Sequence, residues 1–206
     1  MTCQTRSGRG ATIDTQFRAA DDAPFAIGRP ATLPADAAAF SSPVTRMLLS
    51  SDGLTTTLLE SCTGQRVHVR SAEHDRVGAD SAPSGAAELL RAPAGVELVV
   101  RRSVLAVEDG RAVSANQVVA RWDLPSPGAC FGRGAAPIGP ALHSAGTGFR
   151  RSVLDVGVRE WTMPPGGPAA FKTYLIWDGE APSMLISELF NPAVISAERT
   201  AEGSAR

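Results

Sequence analysis

The chain has 206 residues, 43% of them hydrophobic, and its 20 basic residues nearly balance 21 acidic ones to give a formal net charge of −1. A chain of this length can bury about two thirds of the surface that it exposes when unfolded, as expected for one globular domain. The near-neutral charge argues against a nucleic-acid partner, because phosphate neutralisation drives such binding. No apolar run approaches the roughly 20 residues that cross a bilayer, so we predict a cytoplasmic protein without a membrane partner.

The motifs that usually mark a metal or cofactor site are absent from the sequence. The three cysteines, Cys3, Cys62 and Cys130, form no C-x-x-C pair and have no neighbouring pair of histidines. This spacing argues against a zinc site, and the odd number argues against a disulfide framework. The phosphate-binding glycine loops, H-E-x-x-H and G-x-S-x-G are missing as well. We therefore predict neither a metal nor a cofactor.

Two helices are predicted near the start of the chain. Residues 1–40 are rich in Ala, Asp, Pro, Ser and Thr without helical or strand periodicity, so we expect a loosely ordered arm. Ser42 before Pro43 is typical of a capped helix start with proline in the first turn. Residues 54–62 place their apolar side chains on one face of a second helix, which Gly64 ends. The pair forms a helix-turn-helix element.

The rest of the chain is predicted to be mainly strands joined by tight turns. The Asp109-Gly110 dipeptide indicates a hairpin, and residues 73–95 are polar with at most a short helix at 86–90. A second short helix is expected at 137–144, and the polar tail at 196–206 is expected to fray. The predicted strands are residues 65–70, 97–107, 113–122, 150–158, 169–177 and 184–190. This order favours an antiparallel α+β fold over a βαβ series.

Charged residues inside two of these strands are the candidates for chemistry. Because side chains alternate between the faces of a sheet, one of the adjacent residues Arg101 and Arg102 must point inward. Glu188 shares a strand face with Ile186 and Met184, where an unpaired carboxylate would be costly. A buried salt bridge between Glu188 and an arginine is one interpretation. The other is a polar site, with arginine binding a substrate carboxylate and Glu188 acting as acid or base.

Six short motifs, taken together and in order, resemble the chorismate lyase family, the chorismate pyruvate-lyases that form 4-hydroxybenzoate. They extend over residues 44–192, and the P-[LI]-G and terminal E-L-F-x-P motifs are the most specific. The motifs are residues 52–55 (DGLT), 65–69 (QRVHV), 100–105 (VRRSVL), 137–142 (PIGPAL), 149–157 (FRRSVLDVG) and 187–192 (SELFNP).

The resemblance implies a single domain over residues 41–195, between the arm at 1–40 and the tail at 196–206. Its fold would be α+β, with an antiparallel sheet of about six strands and helical flaps over a buried ligand site. The family's carboxylate-binding arginine corresponds to Arg102, which precedes the Asp-Gly turn by seven positions, and its buried glutamate corresponds to Glu188. The remaining substrate-binding residues that the resemblance implies are Leu54, Ile138, Gly139 and Arg151.

The implied activity is a cofactor-free lyase that converts chorismate to 4-hydroxybenzoate and pyruvate, because ring aromatisation alone can drive the elimination. Arg102 would anchor the ring carboxylate, and Glu188 would assist proton transfer. Arg150 or Arg151 would meet the second carboxylate, and a solvated strand edge is the alternative for these arginines.

Two other functions stay open. One is a lyase that gives another hydroxybenzoate isomer. The other is a module that binds or senses an aromatic carboxylate, since regulatory effector domains look like this fold. Such sensors normally follow a DNA-binding domain, and residues 1–40 are too few and too irregular for a winged helix, so we expect the lyase. No heptad pattern is present, and a monomer is expected.

Overall fold

One antiparallel sheet of six strands forms the centre of the structure. The computed structural model describes residues 35–124, 131, 138–144 and 150–200. The order across the sheet is β1-β2-β3-β6-β5-β4, and each neighbouring pair is antiparallel. The strands are β1 (His68–Gly78), β2 (Glu97–Ala106), β3 (Ala112–Arg121), β4 (Arg150–Trp161), β5 (Gly167–Asp178) and β6 (Ala181–Phe190). The predicted antiparallel α+β fold is confirmed.

The two predicted helices at the start of the domain form as expected. The hydroxyl of Ser42 accepts a hydrogen bond from the backbone N–H of Thr45, and Pro43 occupies the first turn. Gly64 ends the second helix with φ +67°, a left-handed conformation that glycine adopts without strain. The α-helices with described bounds are α1 (Pro43–Ser50), α2 (Thr55–Thr63), α3 (Ala86–Leu89) and α4 (Ile138–Ser144). Two 3₁₀ helices cover Ala35–Ala39 and Ala79–Ser81.

Strand β1 is longer than its sequence predicts. The prediction ended this strand at residue 70, whereas β1 continues to Gly78. Its second half pairs with β2 through residues such as Glu73, opposite Arg102, and most of its side chains are exposed. An edge strand that is exposed to solvent on both faces shows no alternation of hydrophobic and polar residues. It is held by backbone hydrogen bonds to β2, which any residue type except proline can make, so the sequence does not reveal it.

The two faces of the sheet bury different parts of the chain. Helices α1 and α2 cover one face, where Leu48 and Leu59 pack in a cluster with Leu105 and Phe190. On the opposite face, α3 covers a separate apolar cluster built on Leu98 and its neighbours. The face under α1 and α2 is the one that matters for function, because charged side chains project from it.

The chain segments on either side of the domain meet beside α1. Phe40 is buried and forms an isolated antiparallel bridge with Arg199, and the hydroxyl of Thr45 donates to the backbone oxygen of Ser196. The predicted division at residues 40 and 195 stays a prediction, since residues 1–34 and 201–206 lie outside the described part of the chain. Among the described helices, none is long and apolar enough to cross a membrane.

Candidate functional site

A cavity lies between the sheet and the segment that joins α1 to α2. Its volume is about 50 Å³, room for roughly four water molecules at about 10–15 Å³ each. Apolar side chains from five strands form most of its floor, and polar groups enter from several sides. The lining residues are Gly53, Leu54, Thr55, Thr56, Val69, Arg101, Ser103, Leu105, Asn116, Val118, Ile138, Gly139, Arg151, Tyr174, Ile176, Ile186 and Glu188.

Glu188 lies on the cavity face of β6, where strand alternation predicted it among apolar neighbours. The residue is 7% exposed, and one carboxylate oxygen, Oε2, accepts a hydrogen bond of 2.8 Å from the hydroxyl of Thr55. The Tyr174 hydroxyl group lies near this carboxylate and lowers the pKa of Glu188. Burial raises the pKa of Glu188 above its ordinary value, and the positive charge of Lys172 opposes that rise.

Lys172 is a buried cation that the sequence analysis missed. It lies opposite Glu188 in the pairing of β5 with β6 and is 1% exposed. Its Nζ donates to the backbone oxygens of Leu48 at 3.1 Å and Ser51 at 2.9 Å, at the end of α1. Burial lowers the pKa of Lys172, and the charge of Glu188 partly offsets this effect. Its position in an apolar strand, on the same face as Tyr174, was the available signal.

The arginine that lines this cavity is Arg101, whereas the resemblance assigned the role to Arg102. Arg101 is 3% exposed and lines the cavity. Arg102 points to the opposite face, where its Nη1 lies 3.8 Å from Asp75 Oδ2. Arg101 shares a face of β2 with Ser103 and Leu105, which also line the cavity, and alternation along the strand places Arg102 on the other face. The count of seven positions to the Asp-Gly turn did not decide which of the two adjacent side chains faces the cavity.

The other predicted binding residues all line the cavity. Leu54 precedes α2, while Ile138 and Gly139 begin α4 on the other side of the opening. A Cβ atom at Gly139 would lie 3.1 Å from Leu54 Cδ2, so the glycine permits close approach of α4 to the α1–α2 segment. Arg151 lines the edge of the cavity, and its Nη1 donates to the backbone oxygen of Asp52 at 3.3 Å.

The segment from Ser51 to Thr55, which we call the flap loop, is held to the sheet by three charged side chains. Lys172 binds the backbone oxygen of Ser51, Arg151 binds that of Asp52, and Glu188 accepts from the hydroxyl of Thr55. Arg151 and Glu188 also line the cavity. A ligand that contacts either of them therefore acts on the groups that position the flap loop.

Asn116 supplies a polar group that no motif predicted. It is 5% exposed, lines the cavity from β3, and lies between Ser103 on β2 and Glu188 on β6 in the strand pairing. Its Nδ2 donates to the Ser114 hydroxyl at 3.1 Å. Among the described residues, its Oδ1 has no hydrogen-bond partner. A buried acceptor without a donor is uncommon, and such groups are frequently completed by a ligand or water.

Comparison with known proteins places the fold among solved structures. No protein-family model matches the chain, and no curated protein matches it. The structure of PhnF from Mycobacterium smegmatis aligns with a TM-score of 0.54 and 13% identity, over 71% of this chain and 67% of PhnF. The effector domain of the same protein aligns with a TM-score of 0.52 and 14% identity, over 69% of this chain and 91% of that domain. The fold is that of the PhnF effector domain.

The C-terminal domain of the histidine utilization repressor from Pseudomonas syringae aligns more weakly, with a TM-score of 0.46 and 13% identity, over 65% of this chain and 96% of that domain. The two alignments with TM-scores above 0.5 are to PhnF and to its effector domain, and this finding overturns the prediction that the chain is a chorismate pyruvate-lyase. The resemblance to the chorismate lyase family holds for the fold, which does not fix the activity.

Proposed function

We propose that this chain is a small-molecule-binding module whose cavity takes a compact organic anion, with aromatic carboxylates as the first class to test. The observation that carries the proposal is the position of Arg101, a buried guanidinium in a cavity with a largely apolar floor. Pockets of this kind, with apolar walls and a few fixed polar groups, are typical of ligand sites. A guanidinium can bind a carboxylate through two parallel hydrogen bonds.

The charges around the cavity support an anionic ligand. Arg101 and Arg151 line it, and Lys172 lies behind Glu188 on the same face of the sheet. Cationic side chains on β2 and β4 therefore line the cavity, where they would attract the carboxylate of a bound ligand.

The hydrogen bonds of Glu188 favour binding over catalysis in this cavity. Its carboxylate accepts a hydrogen bond from the hydroxyl of Thr55 and lies near Tyr174 and the charge of Lys172. In this arrangement the carboxylate holds the start of α2 against the sheet. We therefore assign Glu188 to positioning the flap loop, in place of the proton-transfer role implied by the resemblance.

The same contacts suggest how a bound ligand would be sensed. When a ligand carboxylate pairs with Arg151, the guanidinium has less capacity to hold the backbone oxygen of Asp52. The flap loop then changes position relative to the sheet, and α1 moves with it. A ligand can shift this equilibrium only as far as it binds the two loop positions with different affinity.

Calorimetry and thermal unfolding with 4-hydroxybenzoate, benzoate and the neutral benzamide test the proposal. A ligand at one hundred times its Kd stabilises the fold by about 2.7 kcal/mol, so the carboxylates should raise Tm by about 5–10 °C. Benzamide should have little effect, because it lacks the charge.

Two adjacent arginines provide a matched pair of variants. Arg101→Gln should weaken carboxylate binding at least tenfold, whereas Arg102→Gln on the opposite face should change it less than about twofold. Arg151→Gln, at the cavity edge, gives a second binding variant if Arg101→Gln does not fold. Equal loss in the Arg102 and Arg101 variants, or the absence of binding by any carboxylate, would refute the proposal.

A further inference from the structure

Two arginines lie over one tryptophan on the face of the sheet that α3 covers. Trp177, near the end of β5, packs against the apolar cluster built on Leu98. The guanidinium carbon of Arg150 lies 4.3 Å from the centre of the Trp177 ring, and that of Arg91 lies 5.5 Å from it. We infer that Arg91, Arg150 and Trp177, which we call the Arg-Trp surface, bind an acidic peptide segment of another protein.

The backbone conformation of Arg91 is one that arginine rarely adopts. Arg91 follows α3, where its N–H donates to the backbone oxygen of Glu88 and the N–H of Ala92 donates to that of Ala87, both at 2.9 Å. Many helices end with this pair of bonds, and glycine is the usual residue at its left-handed position. Arg91 has φ +48° and is the only non-glycine residue with a positive φ in the described part of the chain. Strained residues of this kind cluster at functional sites.

The two guanidinium groups carry charge that their described surroundings do not neutralise. Both arginines are exposed, and neither forms an ion pair with an acidic side chain among the described residues. Since both distances given above are measured to the same ring centre, the guanidinium carbons are at most about 10 Å apart. Two positive charges this close together attract an anionic partner.

The Trp177 ring holds both arginines in place. Its Nε1 donates to the Ser152 hydroxyl at 3.0 Å, which fixes the orientation of the ring. Arg150 is the direct neighbour of Trp177 in the pairing of β4 with β5. A cation over an aromatic ring is attracted to it, so the guanidinium groups lose less conformational freedom when a partner binds. Tryptophan and arginine are also enriched among the residues that dominate protein–protein binding.

The chemistry of the Arg-Trp surface favours an acidic peptide over a nucleic acid or a small anion. The guanidinium groups lie over the ring on which a base would have to stack. Because both arginines are exposed, a small anion bound to them would stay largely hydrated. In an extended peptide, side chains two residues apart lie on the same side and about 6.6 Å apart, so two carboxylates can reach both guanidinium groups. The partner is therefore a segment with acidic residues at every second position.

Titration with an eight-residue peptide of alternating Glu and Ser, followed by the NMR signal of the Trp177 indole N–H, tests the inference. At low salt this peptide should bind at least fivefold more tightly than its Gln-Ser counterpart, since only carboxylates form ion pairs with the guanidinium groups. Arg91→Gly and Arg150→Gln should each weaken binding about threefold to fivefold, and the double variant at least tenfold.

Arg76→Gln is the matched control for these variants. Arg76 also lies over a tryptophan, with its guanidinium carbon 4.2 Å from the centre of the Trp122 ring, but its Nη1 is paired with Glu97 at 3.6 Å. The control removes the same charge from the protein as Arg150→Gln does, and it should change peptide binding less than about twofold. An equal loss in the control and in Arg150→Gln would overturn the inference.

The stability of Arg91→Gly separates a binding role from a structural one. Glycine adopts the left-handed conformation without strain, so Tm should be unchanged or rise by about 2–4 °C while peptide binding weakens. A fall of more than about 4 °C would show that Arg91 serves the fold, and it would overturn the inference.

Two other results would also overturn the inference. One is equal binding of the Glu and Gln peptides. The other is tighter binding of inorganic phosphate, or of an oligonucleotide of eight thymidines, than of the Glu peptide. The Arg-Trp surface lies on the opposite face of the sheet from the cavity, so none of these results bears on the proposed function.

Discussion

Replacing Lys172 by methionine tests how the charged contacts hold the flap loop to the sheet. Methionine has a similar length and suits an apolar interior, so the variant removes the charge with little change in packing. The Nζ hydrogen bonds to the backbone oxygens of Leu48 and Ser51 are lost. Glu188 also loses the Lys172 charge, which contributes most to stabilising its ionised form. Leaving a buried charge without its compensating cation costs about 3–5 kcal/mol, and we expect a loss of this size at pH 8.

The pH dependence identifies the part of this loss that comes from Glu188. Without Lys172, the already raised pKa of Glu188 should rise further. Between the unfolded-state and folded-state pKa values, the folded protein then holds a proton that the unfolded chain has released, so stability falls as pH rises. Toward acid pH, Glu188 takes up a proton in both folded proteins, and this part of the difference disappears. The difference should shrink there to about 1.5–3 kcal/mol from the lost hydrogen bonds.

Urea unfolding at pH 5 and pH 8, monitored by tryptophan fluorescence, measures both quantities. Arg111→Met is the matched control, because Arg111 is exposed and its contact with Asp109 is 3.9 Å long; its effect should stay below about 0.5 kcal/mol. Adding Glu188→Gln to Lys172→Met should recover about 1–2 kcal/mol at pH 8, since no lone charge then remains buried. A Lys172→Met effect that is small, or equal at the two pH values, would refute this account of the site.

Two further predictions concern the stability of helix α1 and of the pairing between β4 and β5. Ser42→Ala removes the side-chain acceptor for the Thr45 N–H and should lower the unfolding free energy by about 1 kcal/mol; Ser41→Ala, outside the cap, is the control, and an equal loss there would contradict the capping role. Gly157→Ala would place a Cβ atom 2.8 Å from Phe171 Cε1 across β4 and β5 and should cost about 1–3 kcal/mol. Unchanged urea midpoints for the Gly157 variant would show that the Phe171 ring moves aside freely.

Local signals in the sequence were enough to locate most of the elements. The Ser42-Pro43 start, the Gly64 end and the Asp109-Gly110 hairpin are each confirmed within a few residues. These signals work because caps and tight turns depend on the conformational preferences of a few adjacent residues. The second half of β1 was missed because an exposed edge strand is held by backbone pairing, which side chains do not reveal.

The candidate site was predicted only in part. Glu188 was recognised because a carboxylate on an apolar strand face needs partners, and that reasoning uses alternation within one strand. Its partners, Thr55, Tyr174 and Lys172, come from a helix and a neighbouring strand. No pattern within a single segment joins them. The Asn116 oxygen, which has no hydrogen-bond partner among the described residues, could not be predicted either, because its state depends on the donors that other segments supply.

The sequence alone determined the α+β class, the order of the strands along the chain and the need for a polar site within an apolar sheet face, because these follow from periodicity and turn chemistry. Only the tertiary structure decided that Arg101 and not Arg102 enters the cavity. Alternation places one of these two arginines on each face of β2, and the helices α1 and α2 cover the face that carries Arg101. Which face of a strand meets a cavity is decided by the elements packed on it, so a single strand read by itself does not contain that information.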